Sequence, residues 1–434
     1  MKLYRFAILF LFLFVGQQSN SQPAETSVKV LVAPTHTDWL YKTGERVKFN
    51  ISVYQNGSLV EDVKIRYEIG PEKRPPGKKG VTIARKGKIT RSIAGLKEPG
   101  FIRCVAVAEV NGKEYRGLAT AGLSPELIRP TVSEPTDFDQ FWASALQQSF
   151  RLPLDSTMTL MPEMCTEKVN VYHVSLQNFR PGARLYGILS IPKKEGKYPA
   201  ILHLPGAGIR PYNGDTDTAE KGFITLQIGI HGIPLNLEPE FYNSLAGGAL
   251  YQHTQLNTNS RDHFYYKRVY IGCIRANDFI YNLPQFDGRN LAVMGGSQGG
   301  ALAMATAALD PRVRWMGVLY PSFSDITGSL HGRAGGSPYF LMNDSGAMEP
   351  KEGVVEALAY FDVVNFAKRL KIPGYYTWGF NDESCPPTAM YAAYNSIPSK
   401  KELHLFPHMG HWYSGAHRDT VLAWLMKNLK NDRP

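Results

Sequence analysis

The stretch LAVMGGSQGG, residues 291–300, decides the fold. Four of the six residues from Gly295 to Gly300 are glycine, and glycine costs roughly 0.5–1 kcal/mol relative to alanine inside a strand or helix. A packing preference does not explain such a cluster; a backbone constraint does. NLAVM (290–294) reads as a strand and ALAMATAAL (301–309) as a helix, so almost no loop joins them. Gly295-Gly296-Ser297-Gln298-Gly299 fits G-x-S-x-G, the nucleophile elbow. In that turn the serine takes a strained backbone conformation and flanking side chains would collide with strand and helix. The hydroxyl then stands at the C-terminal edge of a sheet, where the dipole of the following helix favours developing negative charge.

Outward from the elbow, strand-like runs alternate with helical ones from about residue 165. The strands are RLYGILSIP, YPAILHLP, FITLQIGI, NLAVMGG, WMGVLYP, GYYTWGF and ELHLFPH. Helical pattern appears around RVYIGCIRANDFIYNL, in GGALAMATAAL and in RDTVLAWLMKNLK. Apolar strands separated by helices predict a mostly parallel sheet covered on both faces, an α/β-hydrolase domain over 137–434. Its entry, DFDQFWASALQQ (137–148), predicts an amphipathic helix capped by Thr136 or Asp137. The preceding SPELIRPTVSEPTD carries three prolines and places a linker at 125–136. Residues 23–124 show partial period-two alternation in VKVLV, RVKFNISVY, VKIRYEI and FIRCVAVAEV, with Asn56-Gly57 and Asn111-Gly112 spaced as hairpin turns. This predicts a small immunoglobulin-like β-sandwich, an accessory domain with no catalytic constellation of its own.

A serine hydroxyl needs a base, and in this fold the acid and the histidine follow in the order Ser…Asp/Glu…His. WGFNDESCPP sets Asp382 just past a strand, with Glu383 as the rival neighbour; FPHMGHWY sets His411 past the last strand, with His408 as the competitor. His411 follows a glycine that can turn the chain and is the preferred base, with Asp382 fixing its tautomer. The oxyanion hole calls for the N–H of Gln298 and a second donor from PGAGIR (205–210), at Gly206 or Ala207. Trp412, Tyr212 and Phe241 are candidates to stack on a sugar face, and His231 to serve the pocket or to make a structural hydrogen bond.

The totals bound the rest. The chain has 434 residues, 43% hydrophobic and 20% charged, the composition of a soluble globular protein of two domains. Its net charge of +10 is scattered apart from Lys73, Arg74, Lys78 and Lys79, so nucleic acid is not an expected partner. MKLYRFAILFLFLFVGQQSNSQ has Lys2 and Arg5, an apolar run too short to span a bilayer, then small and polar residues. That is the layout of a signal peptide over 1–22, and predicts a secreted or periplasmic protein free of the membrane after cleavage. The four cysteines, Cys104, Cys165, Cys273 and Cys385, have no metal spacing and read as buried free thiols.

These stretches carry a family resemblance. YYKRVYIGCIRANDFIYNLPQFDGRNLAVMGGSQGGALAMATAALDPRV, DESCPPTAMYAAYN, KKELHLFPHMGHWY and the entry PTDFDQFW resemble the acetyl xylan esterase / cephalosporin C deacetylase family, carbohydrate esterase family seven, over roughly residues 130–430. The resemblance implies Ser297 as nucleophile with Asp382 and His411 as partners, and deacetylation of small acetylated sugars with neither metal nor cofactor. Members of the family often form rings, so a homo-oligomer is an expectation that the added sandwich could redirect. The chain departs from the family pattern in three places: HGIPLNL (231–237) stands where the family has R-G-Q, Trp412 follows His411 where the family has glutamate, and LPGAG (204–208) replaces HGYNG. The expected function is O-deacetylation of saccharides through an acyl-enzyme. The alternatives are a serine peptidase of prolyl-oligopeptidase type, which usually carries a β-propeller in place of a sandwich, and a non-catalytic glycan-binding protein.

Overall fold

The computed structural model describes residues 28–342, 347–349, 352–411 and 415–431. The signal-peptide reading of 1–22 and the candidate Trp412 lie outside the described residues.

The first hundred described residues form two facing sheets, antiparallel throughout except where the short Leu40–Tyr41 pairs in parallel with Lys113–Leu123. One joins Val28–Pro34, Val47–Gln55, Ser58–Leu59 and Lys88–Ile93; the other joins Lys113–Leu123, Gly100–Val110, Val63–Pro71 and Lys78–Ala84, with the short Leu40–Tyr41 at its edge. Alternation does the work expected of it: Val47, Phe49, Ile51 and Val53 face inward with no exposed surface, as do Ile65 and Ile69 from the opposite sheet. Both Asn-Gly pairs are turns with two left-handed residues, at φ 51° and 84° for Asn56-Gly57 and 52° and 73° for Asn111-Gly112, the backbone that suits the twist of a two-residue hairpin.

The linker region is not a loose tether. Ile128 and Val132 are buried in the core of the second domain, and Asp325 accepts hydrogen bonds from the N–H of Thr131 at 2.6 Å and of Val132 at 3.2 Å. The expected helix runs from Phe138 to Phe150 and buries Phe138, Phe141, Trp142 and Leu146. Its capping differs from the expectation. Asp137 holds the N-cap position, but its side chain makes no cap hydrogen bond. The carboxylate is drawn away by the Arg261 guanidinium at 2.7 Å and by the Tyr360 hydroxyl.

The second domain is built on one nine-stranded sheet. Its order is Thr157–Leu160, Val169–Gln177, Arg184–Pro192, Ile224–Gly229, Tyr198–Leu204, Phe286–Gly296, Val313–Leu319, Gly374–Trp378 and Lys401–Leu405. The first four are antiparallel neighbours, and from Ile224–Gly229 onward every pair is parallel. All seven strands drawn from the sequence are present; Thr157–Leu160 and Val169–Gln177 extend the antiparallel edge beyond them. The helix Gln298–Leu309 is buried at every position from Gln298 to Ala307, because it lies on the centre of the sheet beneath further helices. Helices Tyr265–Tyr281 and Gly415–Asn431 complete the layers. The architecture is an α/β-hydrolase fold preceded by a β-sandwich. All four cysteines are free; Cys104, Cys273 and Cys385 are buried, whereas Cys165 is half-buried.

Candidate active site

The elbow forms because strand Phe286–Gly296 and helix Gln298–Leu309 meet with one residue between them. That residue, Ser297, sits at φ 57° and ψ −121°, a region of backbone space that only glycine enters without strain. Contacts on each side hold it there. The N–H of Ser297 donates to Leu319 O at 3.0 Å, and its carbonyl accepts the N–H of Ser322 at 3.1 Å. The flanking glycines are steric requirements. A Cβ on Gly295 would lie 2.5 Å from the backbone of Gly299, and one on Gly299 would lie 2.2 Å from Leu204 O.

The carboxylate that faces His411 comes from the turn after strand Gly374–Trp378. Asp382 is fully buried. Its Oδ1 accepts the N–H groups of Ser384 and Cys385, both at 2.8 Å, which leaves Oδ2 facing His411 Nδ1 at 2.9 Å. His411 Nε2 lies 3.1 Å from Ser297 Oγ. Ser297, His411 and Asp382 therefore form one continuous chain of hydrogen bonds across 114 residues of sequence separation. The rival Glu383 points elsewhere, forked onto Arg116 at 2.7 and 3.0 Å with its side chain in solvent. Gly410 is not what brings His411 into place, since it keeps an ordinary φ and a Cβ there would meet only Asn381 O at 3.5 Å. The close approach falls at Gly379, where a Cβ would lie 1.9 Å from Met409 O and hold the two loops apart.

Contacts that the sequence reading did not anticipate complete the frame. The Tyr320 ring stands edge-on to the His411 imidazole, with centroids 4.8 Å apart. Gln298 is buried, and its side chain ties the elbow to the neighbouring loop: Nε2 donates to Pro205 O at 3.1 Å, while Oε1 accepts the Tyr266 hydroxyl at 2.6 Å. Arg210 donates to Ala207 O at 2.9 Å. The signal available for Tyr320 was its place directly after a strand end; Arg210 and the Gln298 side chain had none.

A cavity of about 480 Å³ opens over Ser297 and His411, walled by Gly206, Ala207, Arg210, Tyr212 and Tyr320, with His203, Gln227 and Arg418 also lining it. Asp215 draws Arg418 at 2.7 Å and faces His203 Nε2 at 3.5 Å. Burial pushes His203 down to about 4, so its ring is neutral at pH 7. Of the four stacking and pocket candidates, Tyr212 lines this cavity. Phe241 does not; it is exposed on the helix Pro239–Gly247. His231 stands behind the Pro205–Gly208 loop, with Nε2 3.3 Å from Gly208 O and Nδ1 2.7 Å from the Tyr265 hydroxyl. Burial and then the neighbouring His253 push it down to about 4. A neutral ring satisfies both contacts, donating to the carbonyl from Nε2 and accepting the phenol at Nδ1. A larger cleft of about 620 Å³ near Phe179, Leu250 and His263 carries none of the groups around Ser297.

An α/β-hydrolase sheet with a serine on its elbow, hydrogen-bonded to a histidine and through it to a buried aspartate, is the site of a serine hydrolase, and the relatives of this chain make it a carboxylic ester hydrolase. The family model for acetyl xylan esterase matches residues 126–428. The chain is 38% identical over 419 residues to the acetyl esterase Axe7A of Xylanibacter ruminicola, a match covering 95% of this chain and 93% of that one. Two solved structures resemble it with a TM-score of 0.60 each. The acetyl xylan esterase from Paenibacillus sp. R4 is 28% identical, covering 70% of this chain and 98% of its own. Acetyl xylan esterase 1 from Thermoanaerobacterium sp. JW/SL YS485 is 26% identical, covering 70% and 97%. The chain belongs to the acetyl xylan esterase family.

Proposed function

We propose that this protein removes O-acetyl groups from acetylated saccharides by a two-step acyl-enzyme mechanism. Ser297 Oγ attacks the acetyl carbonyl as His411 Nε2 takes its proton. Asp382 stabilises the imidazolium and holds the tautomer. The oxyanion is received by the N–H of Gln298 and by a second N–H from Gly206 or Ala207, each such donor contributing about 2.7–4 kcal/mol to the transition state. His411 returns the proton to the sugar oxygen, which leaves, and water then hydrolyses the acetyl-enzyme by the same steps in reverse roles.

The observation that carries this reading is the pair of contacts at 3.1 and 2.9 Å that links Ser297 through His411 to Asp382. The cavity, at about 480 Å³, exceeds what an acetyl group occupies and leaves room on the alcohol side for a sugar ring. A saccharide substrate accords with export, and we propose that residues 1–22 direct the chain to the periplasm or beyond.

Ser297→Ala tests the mechanism. It is expected to lose hydrolysis of nitrophenyl acetate and acetate release from acetylated xylo-oligosaccharides while keeping the wild-type circular dichroism spectrum. A folded variant with wild-type turnover would refute the assignment of the nucleophile.

A further inference from the structure

The turn that carries Asp382 is gripped by the sandwich at every residue from Phe380 to Glu383. On the sandwich strand Gly100–Val110, Ile102, Cys104, Ala106 and Ala108 face that domain's own core, so Phe101 and Arg103 leave the opposite face, toward the hydrolase. The Phe101 ring meets the Phe380 ring edge-on at 5.1 Å. Asn381 Nδ2 donates to Leu118 O at 3.3 Å, and Arg116 forks onto Glu383. Arg103 Nη2 donates to the carbonyl of Asp382 at 2.8 Å and approaches that of Phe380 at 3.4 Å.

Arg103 is itself fixed. Its Nε donates to Thr120 Oγ1 at 2.8 Å, and its Nη2 faces Glu72 Oε1 at 3.4 Å. Glu72, 2% exposed, accepts the Thr388 hydroxyl at 2.7 Å on its other oxygen, so the pair, both of whose members belong to the sandwich, is hydrogen-bonded across to the hydrolase. Arg103 is 8% exposed. A buried pair of this kind is weak evidence for stability, because desolvation offsets its attraction. Its geometry points to placement. The Asp382 carboxylate is locked to its own turn by the N–H groups of Ser384 and Cys385, so it goes where the turn goes. His411 arrives on a separate loop.

We propose that the sandwich is part of the catalytic apparatus, with Arg103 as a positioning residue that holds the main chain of Asp382 so that its carboxylate meets His411 Nδ1. This rests on the Ser297–His411–Asp382 mechanism proposed above. The full-length chain is assayed with nitrophenyl acetate, and kcat is expressed per site titrated by a fluorophosphonate. Arg103→Met is expected to lower kcat about ten- to a hundredfold, the scale of a misplacement near 1 Å, with KM within twofold of wild type. Arg103→Lys, which keeps a donor, recovers part of the loss. Asn395→Ala, which cuts contacts to the linker at Pro125 and Ile128 away from the turn, keeps wild-type kcat.

Wild-type kcat per site in Arg103→Met overturns the proposal. So does an equal loss in Asn395→Ala, which would assign the effect to a loosened interface. Should Arg103→Met not fold, Glu72→Gln assayed at pH 8.5, where Glu72 is ionised, decides: it keeps the shape but removes the counter-charge, and a fall in kcat of more than twofold at constant KM supports positioning, whereas unchanged kcat overturns it. Asp382→Asn separates the two levels. If it keeps wild-type activity the mechanism itself fails; if it is inactive while Arg103→Met is not, only the positioning role fails.

Discussion

Replacing Ser297 by glycine is expected to give a more stable protein than replacing it by alanine. Both variants lack Oγ, so both lose the contact to His411 and both are inactive; they differ only in the Cβ. At φ 57° and ψ −121° that Cβ imposes a strain of about 1–3 kcal/mol on any residue but glycine. Against this, glycine loses more chain entropy on folding, about 0.5–1 kcal/mol relative to alanine. Little packing is forfeited, since Ser297 is half-buried and faces the cavity. The strain outweighs the entropy, and the glycine variant should be the more stable by about 0.5–2 kcal/mol. At an ordinary strand or helix position the order is the reverse, so the sign alone is diagnostic. Urea midpoints or calorimetric scans of the two proteins, run side by side, read it directly. An alanine variant at least as stable as the glycine variant would mean that the elbow stores no strain, and the account of why four glycines surround this serine would fail with it.

Two further perturbations test the surroundings. Gly299→Ala would place a Cβ 2.2 Å from Leu204 O. Ordinary contact then requires the strand end and the Pro205–Ala207 loop to move about 1 Å, with an expected loss of about a hundredfold in kcat and a lower unfolding midpoint; normal turnover would show that this approach is not needed for the oxyanion loop. Burial, opposed by Arg103, pushes Glu72 up to about 7 from its usual 4.5, so the folded state holds a proton that the unfolded chain releases, and this part of the stability is present at low pH and lost as pH rises through that window. Glu72→Gln removes the dependence: the stability difference, variant minus wild type, should grow by about 3 kcal/mol between pH 4.5 and 7.5, and a difference that stays flat in urea titrations would refute the burial argument.

The hydrolase core was legible because its elements obey simple periods. Apolar β-branched runs alternating with helical ones can only be a covered parallel sheet, and GGSQGG leaves no room for any junction but an elbow. The two strands left unread, Thr157–Leu160 and Val169–Gln177, sit at the antiparallel edge. There Thr157–Leu160 is exposed throughout and Val169–Gln177 only partly buried, so neither shows the continuous apolar run of the parallel centre. The places of Asp382 and His411 beside Ser297 were legible through their order and their positions after strand ends. The reason given for preferring His411, a glycine before it, is not the operative one, because the backbone constraint lies at Gly379, in another loop. Asp137 illustrates the same limit at a helix start: its position was readable, but the pull of Arg261 and Tyr360, more than a hundred residues away, was not. Phe241 and His231 show it again, since a side chain's exposure or its partner depends on elements that local pattern does not bring together.

The sandwich is where sequence reasoning was least equipped. Arg103 interrupts the apolar run that opens FIRCVAVAEV, and a charge at such a position is free only if its face of the strand meets water. It does not, because the hydrolase covers that face. The comparisons bear on what this means. The two solved acetyl xylan esterases are matched almost entirely by 70% of this chain, which leaves no length in them for a sandwich. The match to Axe7A covers 95% of the chain and so must run through it. Where no sandwich exists, the carbonyl of the acid residue must find its donor in water or in the hydrolase itself. Here that carbonyl takes a buried guanidinium, and the Phe380 and Tyr391 rings take Phe101. A hydrolase that once covers these groups with a second domain becomes dependent on it, since removing the cover would expose apolar rings and release the turn beneath His411 together. The sandwich and the hydrolase thus meet on a single polypeptide bend, and with the positioning role proposed for Arg103 the chemistry at Ser297 would depend on residues that no motif of its own domain contains.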